Sequence, residues 1–299
     1  MLASLLEVVR PDVARLPIAF VNAYLVGTPG AGPWALVDTG LPHSAALTRA
    51  AAEARFGDRR PEAILLTHGH FDHAGSALAL AEAWGVPVYA HPLELPYLTG
   101  RSDYAPPDPT IPGAISFLSR FFSHAGVDLG RHVQALPDDG TVPGMPGWRW
   151  LHTPGHTAGH TSFFRASDRT LIAGDALTTV DMDSWAALVA LPRQFDRPPA
   201  PLTPDWEAAL QSVADLADLA PEAVGAGHGR AITSGTANAL HTFAQHLLPP
   251  VEGRYVGAPA EADARGVVSL PPPVPDPLPW RVGAGVAAAV VLAALARRR

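Results

Sequence analysis

Four side chains that can bind a metal ion lie within six residues of one another, directly after a short apolar run at residues 63–66. They are His68, His70, Asp72 and His73. A buried strand that ends in a turn directs such side chains outward from one point, and imidazole and carboxylate groups at this density favour a borderline cation such as zinc. The alternative is a solvated polar loop without a metal. Further candidate ligands along the chain make this alternative less favoured. The chain is therefore expected to place a metal centre at the end of a strand.

Composition limits the classes of protein to which the chain can belong. Its 299 residues are 47% hydrophobic and 16% charged, which is enough apolar material for a substantial buried core. The net charge of -7 provides no basic surface for a phosphate backbone, so nucleic acid is not an expected partner. Because the chain has no cysteine, disulfides and thiolate chemistry are excluded, and any metal must be held by nitrogen and oxygen ligands.

Three further candidate ligands share one arrangement. His156, Asp175 and His228 each follow a short apolar strand, and each is preceded by a glycine that permits a sharp turn. Together with the cluster at residues 68–73 they make four turns at strand ends, which can converge at one edge of a sheet. The pattern therefore predicts a single site assembled from distant parts of the chain.

The pattern HxHxDH at residues 68–73, followed in order by a separate His, Asp and His, resembles the signature of the metallo-β-lactamase-fold metallohydrolase superfamily. The resemblance extends from about residue 18 to residue 248 and includes Asp38 in the stretch Asp38-Thr39-Gly40. It implies an α/β fold, a four-layer αββα sandwich with metal ions at one edge. It also implies that Asp38 lies behind the ligands and orients one of the histidines.

The resemblance further implies how seven ligands divide between two ions. The first ion would be bound by His68, His70 and His156, the second by Asp72, His73 and His228, and Asp175 would bridge the two. The spacing agrees with this division, because residues two apart in an extended segment project from alternate positions, whereas the next two turn the corner into a helix. A carboxylate can also share its oxygens between cations roughly 3.5 to 4 Å apart, which imidazole cannot do.

Two divalent metal ions are thus the expected cofactors. Zinc (Zn2+) is the first choice because no ligand is a soft thiolate, and manganese or iron are alternatives. Seven ligands for two ions leave room for solvent, which is typical of a catalytic site. A bridging water would have its pKa lowered toward neutrality and would supply hydroxide to attack a carbonyl or phosphorus. Asp72 is the expected catalytic residue, orienting this nucleophile or passing a proton to the leaving group.

The aspartate at position 175 resembles the glyoxalase II and lactonase branches of the superfamily, because true β-lactamases usually lack it. The expected reaction is the hydrolysis of an ester, thioester or lactone in a small-molecule substrate. Two alternatives stay open. Persulfide dioxygenases have a similar pattern but bind one iron, through residues that correspond to His68, His156 and Asp175. A non-catalytic metal-binding module would show no turnover at all.

Other residues that can take part in chemistry lack this combined placement. His160, four residues after His156, precedes an apolar pair at residues 163–164 and is expected to begin a strand rather than to bind metal. Tyr97 and Tyr104 have two interpretations: they donate hydrogen bonds to a substrate oxyanion, or they cover the edge of the sandwich.

Apolar periodicity, interrupted by glycine and proline, predicts alternating strands and helices. Strands are predicted at residues 18–26, 34–37, 63–66, 86–90, 148–151, 161–164, 170–173 and 223–225. Helices are predicted at residues 45–56, 74–84, 115–123, 204–219 and 234–248.

Composition divides the chain into three parts. Residues 1–252 are expected to form the hydrolase domain, with an insertion or lid at residues 91–139. Residues 253–281 are predicted to be a proline-rich linker, and residues 282–299 an apolar helix with an arginine tail. The apolar run is roughly 22 Å long as a helix, short of the roughly 30 Å hydrocarbon core, so a membrane anchor and a docked or free helix both stay open. Because the N-terminus does not resemble a secretory signal, the cytoplasm is the expected location, with or without tethering through this tail.

Overall fold

The computed structural model describes residues 5–276 and residue 278 of the protein. The predicted apolar helix and arginine tail at residues 282–299 lie outside the described residues. In the part of the chain that the structure describes, no helix combines the length and the apolar character that crossing a membrane requires.

The first sheet contains seven strands that lie side by side in the order of the chain. Its antiparallel part consists of β1 (Glu7–Arg10), β2 (Val13–Ile18), β3 (Val21–Gly27) and β4 (Trp34–Val37). The strands that continue it in parallel to β4 are β5 (Ala63–Leu65), β6 (Val88–Ala90) and β7 (Val133–Ala135). Parallel neighbours need crossover connections, which here contain α1 (Ala45–Phe56), α2 (Phe71–Ala74), α3 (Ala77–Trp84), α4 (Leu95–Leu98) and α5 (Ala114–Ser119).

The second sheet is built from the following part of the chain. Its strands are β8 (Trp148–His152), β9 (Thr161–Arg165), β10 (Thr170–Ile172) and β11 (Ala223–Gly225), and they lie in the order β11-β10-β9-β8. The helices of this half are α6 (Trp185–Ala190), α7 (Trp206–Asp218) and α8 (Thr236–His246). A separate hairpin follows, made of β12 (Glu261–Asp263) and β13 (Gly266–Ser269).

The two sheets pack face to face and helices cover their outer faces. Tyr24 and Val37 of the first sheet share one buried cluster with Trp148 and Phe163 of the second. The outer face of the first sheet packs against α1 and α3, and the outer face of the second packs against α7 and α8. The layers therefore follow the order helix, sheet, sheet, helix. The predicted four-layer αββα sandwich is confirmed.

The predicted strand at residues 18–26 is two strands in the structure. β2 ends at Ile18 and β3 begins at Val21, and between them Ala19 adopts a left-handed conformation with φ +55°. No glycine, proline or asparagine marks this turn, although such residues usually supply left-handed turns. Because β3 is buried on both faces, the apolar run continues across the turn, and hydrophobicity alone does not locate it.

Two regions outside the regular pattern contribute more structure than their composition indicates. Residues 91–139, predicted to be an insertion or lid, contain α4 and α5 and also supply β7, the edge strand of the first sheet. Within the predicted linker, Tyr255 is only 2% exposed and packs with Ile111 and Trp206. The following hairpin is held to the domain by Val267, whose N–H donates to Oγ of Ser102 at 3.2 Å. The beginning of the predicted linker is therefore packed on the domain.

Phe163 is expected to stabilise the packing of the two sheets because its ring is fully buried between them. The substitution Phe163→Ala should lower the free energy of unfolding by about 3–5 kcal/mol, through lost burial and the cavity left behind. Urea denaturation monitored by circular dichroism measures this change. As a control, Phe121→Ala removes a ring that is 77% exposed and should change the value by less than about 0.5 kcal/mol. Equal effects of the two substitutions would contradict this assignment of the core.

Candidate metal centre

The loop after β5 presents its metal-competent side chains to one buried point. The chain stays extended through His70, whose φ and ψ are -60° and 153°, and α2 begins at the next residue. His68 and His70 therefore belong to the extended segment, and Asp72 and His73 to the first turn of the helix. None of these residues is more than 8% exposed. Two groups of ligands can thus leave a single loop in different directions.

Three imidazoles form the first group, to which His156 comes from the loop after β8. Nε2 of His68 and Nε2 of His156 each lie 3.0 Å from Nδ1 of His70. Burial lowers the pKa of His68 and His156 well below the ordinary value, and lowers that of His70 to about 3. All three rings are therefore neutral near pH 7, and each has one unprotonated nitrogen that can bind a cation.

The second group contains Asp72, His73 and His228. Nε2 of His228 and Nε2 of His73 lie 3.6 and 3.8 Å from Oδ2 of Asp72. Burial opposes protonation of His73, but the carboxylates of Asp175, Asp72 and Asp38 outweigh it and raise its pKa well above the ordinary value. Nε2 of His73 is nevertheless buried without any hydrogen-bond partner.

Asp175 lies between the two groups. Its Oδ2 is 3.1 Å from Nε2 of His228, and 3.5 Å from Nε2 of both His73 and His156. Its Oδ1 is buried and has no hydrogen-bond partner. A buried carboxylate oxygen left in this way is costly unless a cation or a donor satisfies it.

These observations fit a centre for two divalent ions. All seven side chains predicted from the sequence meet at one place, and the orphaned atoms, Nε2 of His73 and Oδ1 of Asp175, belong to members of this cluster. The donor set consists of imidazole nitrogens and carboxylate oxygens, which suits zinc, iron or manganese.

Asp38 fixes two of the histidines from behind. Thr67 donates to it twice at 2.8 Å, from its N–H to Oδ1 and from its hydroxyl to Oδ2. Nδ1 of His73 donates to Oδ2 at 2.9 Å, and Nδ1 of His68 donates to the hydroxyl of Thr67 at 3.1 Å. Both rings are therefore oriented with Nδ1 toward this support and Nε2 toward the centre.

The loop that carries His228 is anchored by polar side chains of β3 and by the turn before it. The side-chain amide of Asn22 donates to the carbonyls of Ala226 and Gly229, each at 2.8 Å, and the hydroxyl of Tyr24 donates to Ala226 at 2.7 Å. Nδ1 of His228 donates to the carbonyl of Phe20 at 2.8 Å. Sequence reasoning did not single out these residues, although Asn22 is a polar residue inside an apolar run.

His160 takes part in the site without facing the candidate ions. It is fully buried, and its Nε2 accepts a hydrogen bond from the backbone N–H of Asp175 at 2.9 Å. Because that lone pair is engaged, His160 positions Asp175 instead of serving as a ligand. Close approach is also required at Gly227, where a β-carbon would overlap Oδ1 of Asp175 and the ring of His73.

Glu94 is the main functional residue that the sequence analysis missed. It is fully buried, and its carboxylate accepts four hydrogen bonds. The N–H of Gly69 and the hydroxyl of Tyr104 donate to Oε2, and the hydroxyl of Thr157 and the N–H of Gly159 donate to Oε1. It therefore ties the loop of His68 and His70 to the loop of His156. Its position just after β6, the parallel neighbour of β5, was the available signal, because such strand ends share one edge of the sheet.

The two tyrosines of the predicted lid lie beside the first group. The ring of Tyr104 packs on that of His70, with 4.4 Å between centroids, and Tyr97 stacks on Tyr104 at 4.1 Å. The hydroxyl of Tyr104 is engaged with Glu94. Tyr104 therefore supports the ligand loop, which corresponds to the covering interpretation of this residue.

The substitution Glu94→Gln should weaken metal binding by the first group. The amide nitrogen of glutamine would face the backbone N–H of either Gly69 or Gly159, and both groups can only donate. The hydrogen bond to one of the two ligand loops is therefore lost. We expect a 10- to 100-fold lower affinity for zinc, measured by titration against a competing chelator. Glu82→Gln on α3, where the side chain is exposed, is the matched control and should leave the affinity unchanged. Unaltered affinity in Glu94→Gln would exclude this positioning role.

Comparison with known proteins agrees with the fold. The family model of the metallo-beta-lactamase superfamily matches residues 16–228. The probable metallo-hydrolase YflN of Bacillus subtilis (strain 168) is 43% identical over 224 residues, which cover 74% of this chain and 85% of that protein. The protein TTHA1623, whose crystal structure was determined in a di-iron-bound form, is 30% identical in sequence to this chain. The match covers 77% of this chain and 98% of that chain, with a TM-score of 0.50. The subclass B3 metallo-β-lactamase BJP-1 of Bradyrhizobium japonicum shares the fold, with a TM-score of 0.54. It is 18% identical in sequence, and the match covers 81% of this chain and 90% of that chain. The chain belongs to the metallo-β-lactamase superfamily of metal-dependent hydrolases.

Proposed function

We propose that the protein is a dinuclear metal hydrolase that cleaves an ester, thioester or lactone bond in a small molecule. The observation that carries the proposal is the pair of three-residue groups with Asp175 between them, its Oδ2 within 3.5 Å of ligand nitrogens from both. In this proposal His68, His70 and His156 bind one ion, Asp72, His73 and His228 bind the other, and Asp175 bridges them. Divalent ions held by these residues would supply Lewis-acid activation of a water and of the scissile carbonyl.

The protein itself contributes orientation and proton transfer. The rings of His73, His68 and His228 are oriented by hydrogen bonds to Asp38, Thr67 and the carbonyl of Phe20. Asp72 is the one carboxylate of the second group, and its Oδ2 lies 3.6 Å from Nε2 of His228. It accepts a proton from the attacking water and passes it to the leaving oxygen or sulfur.

The walls beside the centre favour an uncharged carbonyl substrate. Two cavities adjoin the ligands, one of about 390 Å3 next to His70 and His156, and one of about 330 Å3 next to His228. Among the described residues that line them there is no arginine or lysine to pair with a phosphate group. This supports ester, thioester or lactone hydrolysis over phosphodiester hydrolysis.

A mononuclear iron oxidoreductase would use a subset of the same residues. Nε2 of His156 and Oδ2 of Asp175 lie 3.5 Å apart. Together with His68 they form a ligand set that resembles the one of persulfide dioxygenases. The second group argues for the dinuclear hydrolase, because one iron would leave Asp72, His73 and His228 without a function. Oxygen uptake with one iron per chain would favour the oxidoreductase, and bound metal without any turnover would favour a binding module.

The substitution Asp175→Ala should remove at least one of two bound ions, because the bridging carboxylate and its charge are lost. Elemental analysis of protein refolded with excess zinc measures the metal content. Activity toward a panel of thioester, lactone, phosphodiester and β-lactam substrates should fall at least about a hundredfold for the substrate that the wild type cleaves. Asp218→Ala, an exposed aspartate at the end of α7, is the control and should change neither value. One ion or none in the wild type would contradict the dinuclear proposal.

The substitution Asp72→Asn should separate proton transfer from metal binding. Asparagine keeps one oxygen that can face an ion but does not take up a proton at neutral pH. We expect kcat to fall by about 10²- to 10⁴-fold. Metal content determined on the same sample shows whether the ion is retained. A variant that keeps both its ions and its wild-type kcat would exclude Asp72 as the proton carrier.

A further inference from the structure

A separate apolar chamber adjoins the metal centre on the side of His228. It has a volume of about 330 Å3 and is formed by the β2–β3 turn, α5 and the segment after it, and the region around α6. Its main side chains are Phe20, Ile115, Leu118, Phe122, Val180 and Leu188. Among the described residues that line this apolar chamber, His228 is the one with a polar side chain.

The apolar chamber shares one residue, His228, with the candidate ligands. His228 lines it and also lies 3.1 Å from Asp175, so one ring belongs to both the centre and the chamber. The ring of Phe20 stacks over that of His228 with 6.0 Å between centroids, and Phe122 lies 6.4 Å beyond it in a similar orientation. A group that reaches from the centre into the apolar chamber therefore passes along aromatic and aliphatic walls.

The cavity on the opposite side has a different character. Beside His70 and His156 its lining is also mostly apolar, but it includes the polar side chains of Thr157, Asp205 and Glu261. The two sides of the centre therefore differ in polarity. A substrate whose carbonyl lies at the ions would place its apolar part toward His228 and its polar part toward His156.

We propose that the apolar chamber binds the acyl chain of the substrate, so that the hydrolysed compound is an ester, thioester or lactone of a medium-length aliphatic acid. This inference rests on the proposed hydrolytic function. A methylene group fills about the volume of a water molecule in the liquid, roughly 30 Å3, so the chamber accommodates a chain of up to about ten carbons. Apart from His228, no side chain among the described residues of its lining can hydrogen-bond to a polar chain, which selects against acids with charged side groups.

The strength of this selection follows from the hydrophobic effect. Each methylene moved from water into the apolar chamber should raise kcat/KM about fourfold. The gain should continue until the chain reaches the end of the cavity and should then stop.

The first test uses the full-length, zinc-loaded protein and p-nitrophenyl esters of acetate, butyrate, hexanoate and octanoate. The leaving group is constant, so differences beyond butyrate report on the chain. We expect kcat/KM to rise by at least about tenfold from butyrate to hexanoate. A value that is independent of chain length, or that falls from acetate onward, would overturn the proposal without any variant.

The second test uses a matched pair of substitutions on α6. Leu188 lines the apolar chamber, whereas its neighbour Val189 is 87% exposed and does not. Leu188→Trp should fill the chamber and lower the ratio of octanoate to butyrate kcat/KM at least tenfold, and Val189→Trp should leave that ratio unchanged. Leu118→Trp fills the chamber from α5 and serves if the first variant does not fold. If a folded variant with tryptophan at position 188 or 118 had the same ratio of octanoate to butyrate kcat/KM as the wild type, the assignment of the chamber as the acyl site would be overturned.

A binding measurement separates this proposal from the hydrolytic function. Isothermal titration of the wild type with sodium octanoate should show saturable binding that Leu188→Trp weakens at least tenfold and Val189→Trp does not. If no ester is cleaved while this pattern is observed, the hydrolytic proposal fails and the acyl site stands. If esters are cleaved without chain-length preference and octanoate does not bind, the acyl site fails and the hydrolytic proposal stands.

Discussion

Two buried carboxylates behind the ligands, Asp38 and Glu94, hold the site in its shape. Asp38 receives hydrogen bonds from Thr67 and His73, and Glu94 receives bonds from the loops on either side of it. Each is nearly inaccessible to solvent, at 1% and 0% exposure. A carboxylate so placed is stable only while its donors stay in position, because an unpaired buried charge costs several kcal/mol. The loops are therefore held in one arrangement before any ion binds.

This constraint explains why the site lies at the ends of strands. The sheets fix where each loop begins, and the parallel strands β4, β5 and β6 bring Asp38, the first ligand loop and Glu94 to the same edge. The second sheet does the same for His156, Asp175 and the loop of His228. Asp38 itself has a φ of +59°, an unfavourable conformation for a residue with a β-carbon. The three hydrogen bonds to its side chain offset this strain.

The sequence predicted what depends on local chemistry and missed what depends on packing between distant segments. The seven metal-competent residues were found because imidazole and carboxylate groups beside glycines at strand ends have few other uses. α1 was predicted with its observed bounds because its apolar period is regular and Gly57 follows it. The β2–β3 turn was missed because Ala19 carries no turn signal, and Glu94 because a single glutamate at a loop start resembles any surface residue. Its function comes from four donors contributed by other parts of the chain.

The missed turn also links the apolar chamber to the metal centre. The left-handed conformation of Ala19 costs on the order of 1 kcal/mol, so another interaction must compensate for it. It aims the carbonyl of Phe20 at Nδ1 of His228 and at the same time lays the phenyl ring of Phe20 beside that imidazole. A displacement of Phe20 by a bound chain would therefore act directly on the orientation of His228. The wall of the apolar chamber and the support of this ligand are therefore parts of one short turn.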